Sequence, residues 1–263
     1  MESLIEFTRK ILGMPVLASE HGKDVDAFIV YVHWLMIVLF VGWLAYFCYA
    51  LIRFRKSAHP KADYYGVRNH ASNYIEAIVV IVEVVLLLGF AIPLWAKMAS
   101  ASNFPKESES TVVHVVAQQF AWNFRYPGVD GIAGKQDFRL VDANKNPFGL
   151  DPSDPAGKDD FATVNDLRVP VGKPVIVQIT SKDVIHSFKV IAMRVTQDAI
   201  PGLRISAHFT PTKTGTYQIN CAQLCGNGHA SMTGGRLVVE TAEDYQKWLT
   251  AKSKTAGGGA SFE

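Results

Sequence analysis

A long uncharged segment limits what this chain can fold into more than any other feature. From Phe28 to Ile52 the sequence runs without a formal charge, and about 20 apolar residues suffice for a helix to cross a ~30 Å hydrocarbon core. The stretch from Tyr74 to Trp95 is nearly as long and carries only Glu76 and Glu83. We therefore expect a hairpin of two transmembrane helices at about 28–52 and 74–96, within a region covering 28–97.

The charges around these spans predict the orientation of the hairpin. The segment between them holds five basic residues against one acid, namely Arg53, Arg55, Lys56, Lys61, Arg68 and Asp63. Such a cationic excess is typical of a cytoplasmic loop. Residues 1–27 contain no short apolar core followed by a small-residue cleavage site, so we expect an outer-side segment and no cleaved secretory signal. The chain is predicted to lie in a bacterial plasma (inner) membrane, in contact with lipid, with everything after about Met98 in the periplasm.

The outer region, predicted at 105–250, has the pattern of an all-β domain. Short alternating or β-branched runs are separated by Pro, Gly, Asn and Asp, and they indicate strands in a sandwich or barrel. The predicted strands are 111–116, 167–171, 174–180, 187–191, 206–210, 215–220 and 235–240. Residues 128–166 are rich in Gly, Pro and Asp and are predicted to form a long excursion between strands. The low-complexity residues 251–263 are predicted to form a flexible tail.

Overall charge excludes one class of partner. The formal net charge is +2, and the outer region contains no stripe of Lys and Arg with interleaved aromatic residues. Nucleic acid is therefore not expected to bind.

Four potential metal ligands lie close together near the C-terminus. Cys221, Cys225, His229 and Met232 fall within one short loop, and His186 lies at the start of a predicted strand. Three interpretations of this set remain open. A Cys221–Cys225 disulfide leaves the histidine and the methionine unexplained, and a structural zinc site could use both cysteines with both histidines. A copper site accounts for the thioether as well.

The number of cysteines favours a particular kind of copper site. A mononuclear blue centre needs one cysteine with two histidines and a weak axial ligand, whereas this loop has two cysteines. Two thiolates can instead bridge two copper ions, each with one imidazole.

At this point the sequence resembles a known family. The loop from Cys221 to Met232, the segment Asp183–Phe188 and the two-span hairpin are similar to subunit II of haem-copper (aa3-type) cytochrome c oxidase. The resemblance implies a cupredoxin-like Greek-key sandwich that holds two copper ions, the copper A centre. It implies side-chain ligation by His186, Cys221, Cys225, His229 and Met232, and main-chain ligation by the carbonyl oxygen of Gln223.

The resemblance also implies a function and partners. Such a subunit accepts electrons from a c-type cytochrome or an equivalent periplasmic donor and passes them to haem in subunit I. There haem and copper B reduce O₂ to water, coupled to proton translocation, so this chain alone would not act on O₂. Subunit III is a further expected partner.

The sequence departs from the family pattern at two functional positions. Gln223 stands where most members carry a glutamate that also reaches a magnesium ion shared with subunit I. Because a neutral amide is a poorer Mg²⁺ ligand than a carboxylate, we expect that magnesium site to be weak. Phe120 stands where the family has the tryptophan that receives the electron, which makes Trp122 the alternative receiving residue.

Three acids are candidates for a role toward subunit I, and two of them, Glu76 and Asp198, lie in segments that resemble family stretches. Glu76 corresponds to the family glutamate near the cytoplasmic mouth of a proton pathway, and a carboxylate within a span is a functional candidate in its own right. Glu83 lies two turns deeper on roughly the same face and is expected to bond to subunit I. Asp198 lies in the segment Thr196–Gly202, which resembles a family stretch beneath the copper loop near subunit I.

Two alternative functions remain at this stage. A membrane-anchored copper-binding or delivery protein would carry exposed Met and His clusters, whereas the ligands here form one compact set. The copper A domain of another reductase, such as nitrous oxide reductase, shares the loop chemistry but leaves the hairpin unexplained.

Overall fold

The computed structural model describes residues 2–62, 64–66, 69–142, 146 and 148–256. The chain divides into two compact units. The first holds the residues up to Met14 together with Asp24–Met98, and the second holds Pro15–Lys23 and the chain from Ala99 onward.

The first unit is helical. Helix α1 (Glu2–Ile11) precedes the long helix α2 (Gly22–Arg53), and the second span consists of α3 (Ala71–Leu86), a wide π-helical turn (Leu87–Ala91) and α4 (Ile92–Ala99). The wide turn comes just before Pro93, which lacks the N–H needed for a regular helical hydrogen bond. Both spans are long and apolar enough to cross a membrane, and their most apolar stretches are not buried within the chain. The predicted two-helix hairpin is confirmed.

The described residues of the second unit form ten strands in two sheets. Their bounds are β1 Thr111–Gln118, β2 Ala121–Tyr126, β3 Phe161–Val164, β4 Asp166–Pro170, β5 Val175–Ser181, β6 His186–Val190, β7 Val195–Ala199, β8 Ile205–Phe209, β9 Gly215–Cys221 and β10 Gly235–Glu240. One sheet has the order β3-β2-β1-β5-β8 and the other β4-β10-β9-β6-β7. The pairs β1–β5 and β4–β10 are parallel, and the other neighbours are antiparallel. The predicted cupredoxin-like sandwich is confirmed.

Alternating side chains of the two sheets form the core between them. Trp122, Phe124 and Tyr126 of β2 point inward and have no exposed surface, because successive residues of a strand face opposite sides of a sheet. Helix α5 (Ala242–Ala256) closes the domain, and Trp248 packs edge-on against Tyr126 at 5.0 Å between ring centroids.

Helix α5 corrects the predicted flexible tail. The sequence predicts a flexible tail at 251–263, but residues 251–256 continue the helix, and residues 257–263 lie outside the described part of the chain. The N–H of Asp244 donates to the hydroxyl of Thr241 (3.2 Å) at the start of α5, which caps the helix. Tyr245 and Trp248 then anchor it to the core, so packing overrides the low-complexity composition.

Strand β3 and the start of β4 correct the predicted excursion of 128–166, since residues 161–164 form a strand and β4 begins at Asp166. The remaining excursion is tied to the outer face of the first sheet by a buried ion pair. Arg125 donates to Asp160, and both side chains have at most 1% of their surface exposed. Arg125 also donates to the carbonyl oxygen of Gly134 (2.6 Å).

The segment Pro15–Lys23 contacts the β unit, although it was predicted only as part of an outer-side segment at 1–27. Ala18 is fully buried in the core, and Ser19 forms a bridge with Pro211. The hydroxyl of Ser19 donates to the carbonyl oxygen of Met193 (2.7 Å). This segment therefore packs against the sandwich as part of the β unit.

Candidate metal centre

Two neighbouring strands bring the ligand candidates together. Strand β6 begins at His186, strand β9 ends at Cys221, and their register pairs Phe188 with Cys221. The loop after β9 leads into a 3-10 turn (His229–Gly234) that precedes β10. The histidine at the start of one strand therefore lies beside the loop at the end of the next.

Five side-chain donor atoms and one carbonyl converge in this loop. The Sγ atoms of Cys221 and Cys225 are 3.9 Å apart, and the Sγ of Cys225 lies 3.4 Å from Nδ1 of His229. The Sδ of Met232 lies 3.5 Å from the Sγ of Cys225 and 3.2 Å from Nδ1 of His186. The Sγ of Cys221 lies 3.0 Å from the carbonyl oxygen of Gln223. The structure thus brings together all six predicted ligand residues.

This donor set fits copper better than the alternatives. Both cysteines are free, and their separation of 3.9 Å is about twice the length of a disulfide bond. A structural zinc site has no use for a thioether, yet the thioether of Met232 is fully buried among the thiols and the His186 imidazole. Thiolate, thioether and imidazole together are the ligands that copper prefers.

Asp183 fixes the orientation of the His186 imidazole ring. Its Nε2 lies 2.8 Å from Oδ1 of Asp183, and its Nδ1 faces the sulfur atoms. Partial burial raises the pKa of Asp183, but hydrogen bonds from the N–H of Gln119 and from His186 outweigh it and hold that pKa below its usual range. The ionised carboxylate therefore accepts the Nε2–H, which leaves the Nδ1 lone pair free for a metal ion.

The thiol of Cys225 is protonated in the metal-free protein at neutral pH. Burial, together with the neighbouring Cys221 thiol, raises the pKa of Cys225 to about 11. Since the thiolate is the form that binds a metal ion, metal binding must displace this proton.

The main-chain carbonyl group and the side chain of Gln223 have different surroundings. Its carbonyl oxygen faces the thiol of Cys221, whereas the residue as a whole is exposed. The main chain can therefore serve the metal cluster while the side-chain amide stays outside it.

The turn between β1 and β2 covers the metal loop. The ring of Phe120 lies so close to Gly226 and Gly228 that a Cβ atom at either position would crowd it, and Gly226 also has a φ of +132°, which favours glycine. Phe120 is half-buried. Trp122 has no exposed surface, packs edge-on against Phe188 (5.4 Å between centroids) and donates from Nε1 to the carbonyl oxygen of Met232 (3.3 Å).

Two residues at the site had no role assigned from sequence. Asp183 holds His186, and the Nε2 of Gln119 donates to the carbonyl oxygen of Cys225 (2.7 Å). Both belong to segments that resemble family motifs, and that is the only signal in the sequence that could have pointed to them.

None of the three predicted interface acids is among the side chains that converge on the Cys221–Met232 loop. Glu76 and Glu83 are exposed on α3 in the helical unit. Asp198 is exposed on β7, at the edge of the second sheet, where it pairs with Ser187 next to His186.

Comparison with known proteins gives consistent matches. The family model described as "Cytochrome C oxidase subunit II, periplasmic domain" matches residues 111–241. An "Alternative cytochrome c oxidase subunit 2" of Bradyrhizobium diazoefficiens is 32% identical, and the alignment covers 85% of this chain and 78% of that relative. A "Probable cytochrome c oxidase subunit 2" of Rickettsia conorii is 29% identical, with coverage of 88% and 68%.

Among solved structures, the chain is similar to the periplasmic domain of subunit II of cytochrome oxidase (CoxB) of Bradyrhizobium japonicum. The sequences are 27% identical, and the TM-score is 0.40. The match covers 57% of this chain and 97% of that one.

Proposed function

Because the chain belongs to the cytochrome c oxidase subunit II family, we propose that it is the electron-accepting subunit of a haem-copper terminal oxidase. In this role it takes electrons from a c-type cytochrome or an equivalent periplasmic donor and delivers them to haem in subunit I. The observation that carries the proposal is the convergence of two thiols, two imidazoles, a thioether and a carbonyl in one loop.

The ligand roles follow from the atoms that face one another. The thiolates of Cys221 and Cys225, with Nδ1 of His186 and Nδ1 of His229, would hold two copper ions. Met232 and the carbonyl oxygen of Gln223 supply the weak ligands. When bound, this pair of ions takes up and releases one electron at a time.

The chain itself shields most of the ligand atoms from water. His186 and Met232 are fully buried, and Cys221 and Cys225 are at most 8% exposed. Rigid, water-excluded ligands change little when an electron arrives or leaves, and this is the contribution that a protein makes to a redox cofactor.

The electron reaches the loop through the β1–β2 turn. Phe120 is the half-buried ring that contacts the loop glycines, so we assign the first contact with the donor to Phe120. Trp122 has no exposed surface, and its hydrogen bond to the Met232 carbonyl oxygen suits a second, internal step.

The remaining partners follow from the family. The hairpin anchors the chain in a bacterial plasma membrane with the copper domain in the periplasm, beside subunit I with its haem and copper B, and beside subunit III. Glu76 supplies protons to subunit I for the reduction of O₂ and for proton translocation, while Glu83 and Asp198 contact that subunit. The magnesium site shared with subunit I is weak because Gln223 offers an amide.

Time-resolved photoreduction of the assembled oxidase tests this function. Electrons released at the periplasmic surface should reduce the copper centre first and haem in subunit I afterwards. Cys221→Ser should remove the early phase and leave the haem spectra intact. Cys48→Ser, at the exposed cysteine of α2, is the matched control and should behave as the wild type. Equally fast haem reduction in Cys221→Ser would sink the proposal.

A further inference from the structure

The turn between β1 and β2 joins two of the segments that supply proposed copper ligands. The peptide N–H of Gln119 donates to Oδ2 of Asp183 (2.7 Å), the residue whose other oxygen meets Nε2 of His186. The side-chain amide of Gln119 donates to the carbonyl oxygen of Cys225 (2.7 Å). One residue thus bridges the histidine segment and the cysteine loop.

We propose that Gln119 is a positioning residue of the copper centre, an inference that rests on the proposed function. It completes a chain of hydrogen bonds that runs from His186 through Asp183 and Gln119 to Cys225. This chain fixes the imidazole of one ligand against the thiol of another.

The loop needs such a bond because its own sequence is flexible. Cys225 is followed by Gly226 and, two residues later, by Gly228, and glycine restricts the backbone least of all residues. A donor outside the loop that holds the Cys225 carbonyl fixes the adjoining peptide plane and, with it, the direction of the thiol. Outer partners of this kind typically change metal affinity about tenfold to a hundredfold when they are removed.

Gln119 also lies at the surface where we expect the electron donor to dock. Gln119 is exposed and directly precedes Phe120, whose ring covers the same loop. A donor that docks on this turn therefore contacts the residue that holds the copper ligand Cys225 in place.

Full-length chain in detergent, carrying Gln119→Met, tests the proposal. Methionine keeps the length of the side chain and cannot donate to the Cys225 carbonyl, and Gln119→Glu is a nearly isosteric second variant that also lacks the donor. Gln118→Met, at the last residue of β1, is the matched control, because the Gln118 side chain accepts from Nζ of Lys182 (2.9 Å) instead. Cys48→Ser serves as the background in every variant so that only the loop thiols react.

Three readouts decide the outcome. With copper ions as the ligand, both Gln119 variants should bind about tenfold more weakly in competition with a chelator and show an altered copper hyperfine pattern by electron paramagnetic resonance. In the metal-free chain, alkylation of the loop thiols by iodoacetamide should be about fivefold faster, the factor expected when a hydrogen bond of about 1 kcal/mol no longer opposes loop opening.

The control and the metal-free readout separate the two proposals. Wild-type affinity, spectrum and alkylation rate in both Gln119 variants would overturn the positioning role, and so would equal changes in Gln118→Met. If the wild-type chain binds no copper, the proposed function fails, and the alkylation rates alone then decide the role of Gln119.

Discussion

The helical unit and the β unit differ in how completely each surrounds its own functional side chains. In the β unit the copper ligand candidates are held by one another and by Asp183 and Gln119. In the helical unit the apolar faces of both spans and the carboxyl groups of Glu76 and Glu83 are exposed. The ligand set of the metal centre is therefore assembled by this chain alone, whereas the hairpin needs lipid and other subunits to cover its exposed faces.

The largest effect is expected where the β unit depends on its own buried charges. Removing one partner of a buried ion pair leaves the other charge unpaired, and this typically costs about 3–5 kcal/mol. Asp160→Ala should therefore lower the free energy of unfolding of the β unit by that amount, as measured by denaturant titration of the solubilised chain.

An exposed pair in the same excursion serves as the control for Asp160→Ala. Asp137→Ala removes an ion pair with the largely exposed Arg139 and a hydrogen bond from the N–H of Arg139, so a loss much smaller than that of Asp160→Ala is expected. Equal destabilisation by the two substitutions would show that the excursion, and not the buried charge, supports the sheet.

A pH-dependent effect should follow from His114, which also lies in the β unit. Burial, and then the charges of Arg125 and Arg204, lower the pKa of His114 from 6.5 to about 4. Between pH 6.5 and pH 4, His114 is therefore protonated in the unfolded chain and neutral in the folded chain. Stability should fall as the pH falls through this window, by up to about 3 kcal/mol.

His114→Gln is the test of that dependence. It should reduce the fall in the free energy of unfolding between pH 6.5 and pH 4. Above pH 7 the free energy of unfolding should depend on pH as it does in the wild type. A variant with the same pH profile as the wild type would assign the acid sensitivity to other groups.

Substitutions in the hairpin should have an effect only in the assembled oxidase, whereas those in the β unit act in the isolated chain. Glu76→Gln should leave copper binding and the stability of the β unit unchanged in the isolated chain. In the assembled oxidase it should lower turnover roughly tenfold, equivalent to about 1.4 kcal/mol of barrier, because a neutral amide cannot deliver a proton. Steady-state oxygen consumption measures this, with Glu83→Gln as the comparison two turns deeper in the same helix.

The smallest effect on the copper centre is expected at Gln223. Gln223→Glu supplies the carboxylate that Mg²⁺ prefers, and the exposed side chain lies outside the sulfur cluster. The assembled oxidase should gain a bound Mg²⁺, which can be replaced by Mn²⁺ and detected by electron paramagnetic resonance. The copper signal should not change, and a changed signal would show that the side chain does touch the centre.

Sequence periodicity predicted the spans and seven of the strands but missed others for identifiable reasons. Strand β7 (Val195–Ala199) buries only its first and last residues, so it lacks a clear alternating pattern. Strand β2 is buried on both faces from Trp122 to Tyr126, and its aromatic residues coincide with a family motif that indicates a function and not a strand. Helix α5 continues into a low-complexity segment because Tyr245 and Trp248 pack on the core.

At the site, the ligand candidates could be predicted from sequence but the hydrogen bonds that hold them could not. The side-chain ligand candidates follow from residue types packed into one short loop and from His186 at the start of a predicted strand, whereas the Gln223 carbonyl oxygen was added by resemblance to the family. The bonds that hold them do not follow from residue types, because Gln119 meets Asp183 at a sequence separation of 64 and Cys225 at a separation of 106. Contacts of that range arise from strand register and turn conformation, which no local pattern specifies.

If the proposed function is right, this chain forms a two-copper centre without any other subunit. The most direct test of this claim is copper analysis combined with electron paramagnetic resonance of the purified full chain, loaded with copper and free of other subunits. We predict two copper ions per chain and a mixed-valence signal with more hyperfine lines than a single copper nucleus can give. One copper per chain with the spectrum of an isolated blue site, or a preparation that retains zinc alone, would contradict the claim.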